Sequence, residues 1–112
     1  MNRRDIQILN KIIKEIDIAL EMMNGKSLEN FEDDEMLKRA VCMTVINIGE
    51  LIKNVTDETR KNNKHVPWKE AAGFRDIAAH KYQTLKMADV YRTVTDDFGE
   101  LQKLLRDILN GA

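Results

Sequence analysis

The feature of this sequence that most restricts its fold is the spacing of its apolar residues, which recur three and four positions apart along most of the chain. Because an α-helix turns about 100° per residue, this spacing places such residues on one helical face. The pattern predicts an all-α protein with no strands. In the first stretch, residues 4–23, the residues that recur at this spacing are Ile6, Leu9, Ile13, Ile16, Leu20 and Met23, and Ile12 widens the stripe.

The same spacing predicts three further helices. These are a long helix over residues 34–62, a helix over residues 67–82 with a break near Gly73, and a last helix over residues 87–109. Four helices with short connections predict an antiparallel four-helix bundle.

The connection at residues 26–33 is predicted to be a linker, because it is polar and strongly acidic. Asp33 or Asp34 at its end can accept a hydrogen bond from the first turn of the next helix, and its charge complements the helix dipole. His65 is expected in the loop after the long helix. Trp68 is expected to be a core or groove anchor rather than a base-stacking residue.

The predicted long helix has two apolar faces, and one bundle can bury only one of them. We therefore expect the other to contact a second copy of the chain, giving a homodimer. Cys42 lies among apolar residues and is expected to be a small buried residue. One face carries Leu37, Val41, Ile48 and Val55, and the other carries Met36, Ala40, Met43 and Asn47.

Length and composition limit the class of protein. A chain of 112 residues is expected to form a single domain, 1–112. It contains no apolar run long enough to span a membrane and no apolar core of a secretory signal at its start. Its single cysteine excludes an internal disulfide, which favours a cytoplasmic location.

Positive charge is concentrated in one third of the chain. Residues 53–86 carry eight Lys or Arg and four Asp or Glu, whereas the stretches before and after are net acidic. This concentration fits local attraction of phosphate groups. The alternative is an ordinary solvated surface.

The same third contains four polar side chains that can take part in acid–base or phosphate chemistry, within an otherwise apolar helical pattern. They are Arg75, Asp76, His80 and Tyr82. Asp76 and His80 are four residues apart, so the carboxylate can hydrogen-bond the imidazole. Arg75 and Tyr82 share another stripe. Arg75 and His80 are about 140° apart around one helix, so two copies facing each other across a dimer axis would bring them together more readily.

These residue types suit phosphodiester chemistry. Histidine can accept or return a proton near neutral pH. The planar guanidinium of arginine is permanently charged and its N–H groups suit hydrogen bonding to phosphate oxygens. The 2′-hydroxyl of RNA supplies its own nucleophile, so neither a metal ion nor a cofactor is expected. The alternative is that Arg75, Asp76 and His80 form a solvated or dimer-stabilising salt network.

The stretch from Arg75 to Tyr82 resembles the Arg-x4-His-x-Tyr motif of the HEPN superfamily, in its HepT-like branch. Pro67-Trp68 and the Asn47-Ile48-Gly49-Glu50 step also match that branch, and the resemblance covers nearly the whole chain. This sequence has Asp76 where the branch often has Asn. Glu50 is a candidate to face the motif, the alternative being a surface charge.

The resemblance implies an endoribonuclease toxin of the HEPN/MNT type VII toxin–antitoxin class, acting on RNA such as tRNA or mRNA. Arg75, His80 and Asp76 would be its catalytic residues. Its partner would be a nucleotidyltransferase antitoxin that transfers AMP to Tyr82. Two alternatives are a non-catalytic helical module that binds the nucleotidyltransferase, and a plain dimeric scaffold.

Overall fold

The computed structural model of the chain describes residues 1–73 and 82–111, which contain helices and no strands. The predicted all-α fold class is therefore confirmed. The helices are α1 (Arg3–Met23), α2 (Leu28–Asp33), α3 (Glu35–Lys53), α4 (Asp57–Asn62), α5 (residues 68–73), α6 (Met87–Arg92) and α7 (Phe98–Gly111), with a 3-10 turn at Tyr82–Thr84 and a π-helical turn at Thr93–Asp97.

The hydrophobic core lies where α1 packs against α3 and α7. The apolar spacing accounts for this arrangement, because the residues on each inner stripe are almost completely shielded from solvent. Such close packing is the main source of stability in a chain of this size. The residues that are 0 or 1% exposed include Leu9, Ile12, Ile16, Val41, Ile48, Ile52, Val90, Val94 and Leu105.

The predicted linker at residues 26–33 is wrong, because this stretch contains the short helix α2. The Ser27 hydroxyl accepts a hydrogen bond from the Asn30 N–H at 3.0 Å, and the Asn30 side chain accepts one from the Ser27 N–H at 3.1 Å. This reciprocal capping starts the helix. Phe31 is fully buried, with its ring centroid 6.2 Å from that of Tyr91 on α6. One buried aromatic side chain thus fixes an otherwise acidic helix.

The N-cap prediction is confirmed at Asp34, whose carboxylate accepts a hydrogen bond from the Leu37 N–H at 3.0 Å. The single long helix over residues 34–62 is wrong, because α3 ends at Lys53 and α4 begins at Asp57. Thr56 caps α4. The cause of the break lies far away in sequence, at Asp5.

Asp5 of α1 is fully buried and organises the junction between α3 and α4. Its carboxylate accepts hydrogen bonds from the Thr56 N–H at 3.2 Å, the Thr56 hydroxyl at 2.5 Å and the Thr59 hydroxyl at 2.6 Å. Burial raises the pKa of Asp5, but these hydrogen bonds together outweigh burial and hold the pKa below its usual value. A continuous helix could not offer Asp5 the Thr56 N–H, since that group would bond within the helix.

Arg60 reinforces the same junction. Its guanidinium donates hydrogen bonds to the Val55 carbonyl at 2.9 and 3.1 Å and to the Lys53 carbonyl at 3.2 Å. Carbonyl groups at a helix end have no partner inside the helix, so Arg60 satisfies groups that the break exposes.

The last helical stretch runs from Met87 to Gly111, close to the predicted 87–109, and contains the π-helical turn. Of the predicted helix over residues 67–82, residues 67–73 and 82 are described. Residues 68–73 are helical, whereas Tyr82 begins a 3-10 turn. No helix in the described ranges is long and apolar enough to cross a membrane. The homodimer and the single-domain organisation stay predictions.

Candidate functional site

Of the four predicted site residues, three lie outside the described residues. Arg75, Asp76 and His80 fall between Gly73 and Tyr82, so their proposed catalytic roles stay predictions. Tyr82 is described, and the structure also describes the surfaces on either side of the gap.

Tyr82 lies against the first turns of α3 and is partly buried there. The guanidinium carbon of Arg39 lies 5.6 Å from the centroid of its ring, within the range of a cation–π contact. Glu35 holds both neighbouring cations, since its carboxylate is 2.9 Å from the Arg39 Nε and 3.0 Å from the Lys38 Nζ. The predicted AMP acceptor is thus packed beside two positive side chains.

The chemistry of the Tyr82 hydroxyl follows from this position. Burial raises the pKa of the phenol, and the negative charge of Glu35 adds to the effect, although Arg39 and Lys38 oppose it. The hydroxyl therefore keeps its proton at neutral pH. A group-transfer reaction at this oxygen needs a base to remove that proton.

The cations near Tyr82 were not identified as site residues from the sequence. Glu35, Lys38 and Arg39 show the three- and four-residue spacing of helical ion pairs, so the pairing itself could have been predicted. Their approach to Tyr82 could not, because it joins residues more than forty positions apart.

Trp68 anchors the chain on the other side of the gap. Its side chain is 7% exposed, and its indole N–H donates a hydrogen bond to the Asn63 carbonyl at 3.0 Å. The prediction of a core or groove anchor is confirmed. With its N–H occupied and its ring buried, Trp68 forms a wall rather than a stacking platform.

Two grooves border α5. The first, of ≈ 700 Å³, lies between the α4 region and α5, and its lining includes Ala72 and Gly73. We call it the basic groove, and its charged lining is Lys53, Arg60, Lys61, Lys64, Lys69 and Glu70. The second, of ≈ 580 Å³, lies between α5 and the π-helical turn. We call it the acidic groove, and its charged lining is Glu70, Asp96, Asp97 and Glu100.

Several other sequence predictions can be checked directly. Cys42 is 2% exposed, and burial raises the pKa of its thiol to about 11, so it is the small buried residue that was expected. His65 is exposed in the turn after α4, as predicted. Glu50 is exposed on α3. Whether Glu50 faces the motif depends on residues outside the described ranges.

The second apolar face of α3 is open to solvent in the single chain. Met36 is 83% exposed and Met43 is 57% exposed, and Ala40 and Asn47 of the same stripe are also exposed. Across residues 1–73 and 82–111, no three His, Cys, Asp or Glu side chains are grouped closely enough to hold a metal ion.

Comparison with known proteins gives a family match over most of the chain. Residues 12–108 match the family described as "Ribonuclease HepT-like". The matched range includes the whole stretch from Arg75 to Tyr82. No solved structure matches the chain.

Individual relatives agree with this match. The chain is 36% identical over 101 residues to a protein of Caldanaerobacter subterraneus subsp. tengcongensis named "Putative RNase", covering 90% of each. It is 28% identical over 102 residues to "Probable ribonuclease HepT" of Thermococcus cleftensis, covering 91% of this chain and 93% of that protein.

A third relative is a longer protein of Methanocaldococcus jannaschii, named "Gamma-glutamylcyclotransferase and putative RNase". It is 33% identical over 108 residues, and the match covers 96% of this chain but only 49% of that protein. Taken with the helical fold and the family match across the motif, these similarities show that the chain belongs to the HepT-like family of ribonucleases.

Proposed function

We propose that the protein is a metal-independent endoribonuclease of the toxin type, with Arg75, Asp76 and His80 as its catalytic residues. The observation that carries the proposal is the family match over residues 12–108, which spans these positions. The concentration of positive charge in residues 53–86 supports it, because the substrate is a polyanion.

The proposed reaction is an internal transesterification. His80 removes the proton from a ribose 2′-hydroxyl, whose oxygen attacks the adjacent phosphorus, and the bond from phosphorus to the 5′-oxygen breaks. The leaving 5′-oxygen takes up a proton. Arg75 neutralises the charge that develops on the phosphate oxygens, and Asp76 orients the imidazole. The products are a 2′,3′-cyclic phosphate and a 5′-hydroxyl.

A homodimer completes this proposal, because the helix predicted for this stretch would place Arg75 and His80 on different faces. The exposed side chains of Met36 and Met43 support self-association, since both apolar side chains of α3 are otherwise left in water. Met36→Glu with Met43→Glu should shift the sedimentation of the protein toward a monomer. Ile18→Glu, at an apolar side chain of α1 that is 38% exposed, is the matched control.

The cleavage assay incubates a labelled tRNA pool with the purified protein in EDTA. We expect His80→Ala and Arg75→Ala each to slow cleavage by about 10²–10⁴-fold, the usual contribution of such groups. His65→Ala is the matched control, because His65 is the other histidine and is exposed in a loop. Mass spectrometry of the fragments should detect the cyclic phosphate.

Two outcomes would contradict the nuclease proposal. One is the absence of cleavage in every RNA tested, and the other is cleavage that His80→Ala and Arg75→Ala leave unchanged. Either would favour the non-catalytic helical module that binds a nucleotidyltransferase.

We further propose that a nucleotidyltransferase antitoxin inactivates the protein by transferring AMP from ATP to the Tyr82 oxygen, with release of pyrophosphate. Tyr82 shares a predicted stripe with Arg75, so an added phosphate would place bulk and negative charge near the substrate phosphate. Its position beside Arg39 and Lys38 supports the proposal, because these cations can stabilise the new phosphodiester.

The test of this second proposal is mass spectrometry after incubation with ATP and the proposed nucleotidyltransferase antitoxin. One AMP should appear on the wild type and none on Tyr82→Phe. Tyr91→Phe is the control, because Tyr91 is the other tyrosine and its hydroxyl donates to the Lys26 carbonyl at 2.8 Å. Modification that persists in Tyr82→Phe would contradict the assignment.

A further inference from the structure

The basic groove gathers charges that are scattered in the sequence. Its five basic side chains come from the end of α3, from α4, from the turn that follows and from α5, and Glu70 is the single acid among its lining residues. Like charges placed together repel one another, so a surface of this kind is favourable only when an anion or solvent screens it. The groove is therefore suited to a negatively charged ligand.

The basic side chains differ in how free they are to bind. Arg60 is committed to the carbonyls at the end of α3. Lys61, Lys64 and Lys69 are exposed, and none of them forms an ion pair within the described part of the chain. These three ammonium groups can contact a ligand without first breaking a contact within the protein.

The remaining lining determines what kind of ligand fits. Among its described lining residues the groove presents no free aromatic face, because Trp68 is only 7% exposed and its indole N–H is bonded to the Asn63 carbonyl. Recognition of bases in single-stranded RNA depends largely on stacking against such faces. A strand held here would be bound through its phosphates, with little preference for sequence.

The groove lies close to the motif in the chain. Ala72 and Gly73 are among its lining residues, and Gly73 stands two positions before Arg75. A strand that follows the groove therefore reaches the point where the motif segment begins.

We propose that the basic groove is a phosphate-backbone track for single-stranded RNA, in which Lys61, Lys64 and Lys69 bind successive phosphates on one side of the cleaved bond. This proposal rests on the proposed nuclease function, whose substrate it positions. The three lysines act in binding and are not catalytic residues.

The proposal predicts how strongly the RNA affinity depends on salt, because neutralised phosphates release counterions on binding. For single-stranded nucleic acid the slope of log affinity against log salt is about −0.7 per phosphate neutralised, so three lysines account for a slope of about −2. Removing all three should make this slope less steep by about 2 and weaken binding by about 10- to 100-fold at low salt.

The experiment measures fluorescence anisotropy of a labelled 2′-O-methyl oligoribonucleotide of mixed sequence, at salt concentrations from about 50 to 200 mM. The 2′-O-methyl group removes the nucleophile, so binding is measured without cleavage. The test variant is Lys61→Gln with Lys64→Gln and Lys69→Gln. The matched control is Lys11→Gln with Lys26→Gln and Lys103→Gln, which changes net charge equally at exposed sites outside the groove.

We expect weaker binding and a less steep salt slope in the groove variant alone, with equal loss across unrelated oligonucleotide sequences. Equal weakening in both variants would overturn the proposal, because it would show a general charge effect. Unchanged RNA binding in the groove variant would also overturn it and would favour an acidic protein partner for this surface.

Failure of this proposal is distinguishable from failure of the nuclease proposal. Cleavage that depends on His80 but not on the three lysines would overturn the track and leave the nuclease intact. Binding that depends on the lysines, in a protein that cleaves no RNA, would overturn the nuclease proposal and leave the phosphate-backbone track standing.

Discussion

The two grooves that border α5 are similar in size and opposite in charge. Five basic side chains and one acid line the basic groove, whereas four acids and no base are among the described residues that line the acidic groove. Glu70 borders both. A polyanion is therefore attracted to one side of α5 and repelled from the other. In the proposed nuclease, this charge difference would determine the side from which RNA approaches.

The grooves also differ in how their walls are held. The α4 wall of the basic groove is fixed by hydrogen bonds to the buried carboxylate of Asp5. The wall of the acidic groove includes the π-helical turn, where the Thr95 hydroxyl donates to the Tyr91 carbonyl at 2.8 Å. Single π-helical turns inserted in an α-helix are frequent at functional sites. The following predictions test whether charge and wall stability separate the two grooves as described.

The largest expected effect is on the buried aromatic side chains that line the grooves, Trp68 in the basic groove and Phe98 in the acidic groove, where the two grooves should behave alike. Trp68 is 7% exposed and Phe98 is 4% exposed, so Trp68→Ala and Phe98→Ala should each lower the free energy of unfolding by about 3–5 kcal/mol. Urea denaturation measures the loss. Trp68→Phe is the control, since it keeps most of the packing. A loss of unfolding free energy below about 1 kcal/mol for either alanine variant would show that this side chain is not packed as closely as its burial indicates.

The next largest effect concerns the α4 wall of the basic groove, which the Asp5 carboxylate holds. Asp5→Ala leaves the Thr56 N–H and two hydroxyls without their buried partner, so we expect a loss of about 2–3 kcal/mol at pH 7. Because the folded-state pKa of Asp5 lies below its unfolded value, its contribution is full above the unfolded pKa, about 3.9, and is lost as the pH falls through the folded pKa.

Urea denaturation at several pH values measures this contribution as the difference between wild type and Asp5→Ala. That difference should shrink only under strongly acid conditions. Glu21→Ala, at an exposed carboxylate of α1, is the control and should cost less than about 0.5 kcal/mol. A difference that already shrinks near neutral pH would contradict the lowered pKa.

A smaller effect tests the charges themselves. Lys64→Glu in the basic groove should slow RNA cleavage by about 10-fold at low salt, because one phosphate contact becomes a repulsion. Asp97→Lys in the acidic groove should leave the rate unchanged or raise it. Lys26→Glu changes net charge as Lys64→Glu does and is exposed outside both grooves, so it is the control. Equal slowing by Lys64→Glu and Lys26→Glu would remove the functional distinction between the grooves.

The smallest expected effect is the chemical modification of the Cys42 thiol in the folded protein, which checks that variants of either groove stay folded. With the pKa of Cys42 at about 11 and its side chain buried, only about one thiol in a thousand is ionised at pH 8. A disulfide reagent should therefore leave native protein almost unmodified and react fully in denaturant. Rapid modification of a native groove variant would show that its core has opened, and its binding data would then be discounted.

The sequence predicted the helices well where the determining contacts are local. The predicted range of residues 4–23 matches α1, Asp34 caps α3 through a residue three positions away, and Cys42 is buried among its neighbours. Of the predicted α1 stripe, Leu9, Ile12, Ile16 and Met23 are buried, whereas Ile6, Ile13 and Leu20 are only partly buried. The buried Ile8 and Ala19 were not predicted. The sequence did not predict α2, although the Ser27–Asn30 capping pair was present as a signal. The motif was predicted, and the family match supports its assignment, while its geometry lies outside the described residues.

By itself the sequence determined the helical class, the inner stripes and the family, because helix periodicity, caps and motif spacing are properties of neighbouring residues. Only the tertiary structure decided that α3 and α4 are separate, since the carboxylate that binds Thr56 comes from a residue 51 positions away. It likewise placed Arg39 against Tyr82 and gathered Lys61, Lys64 and Lys69 in one groove. Contacts between distant residues depend on how the helices pack, and no local spacing specifies that packing.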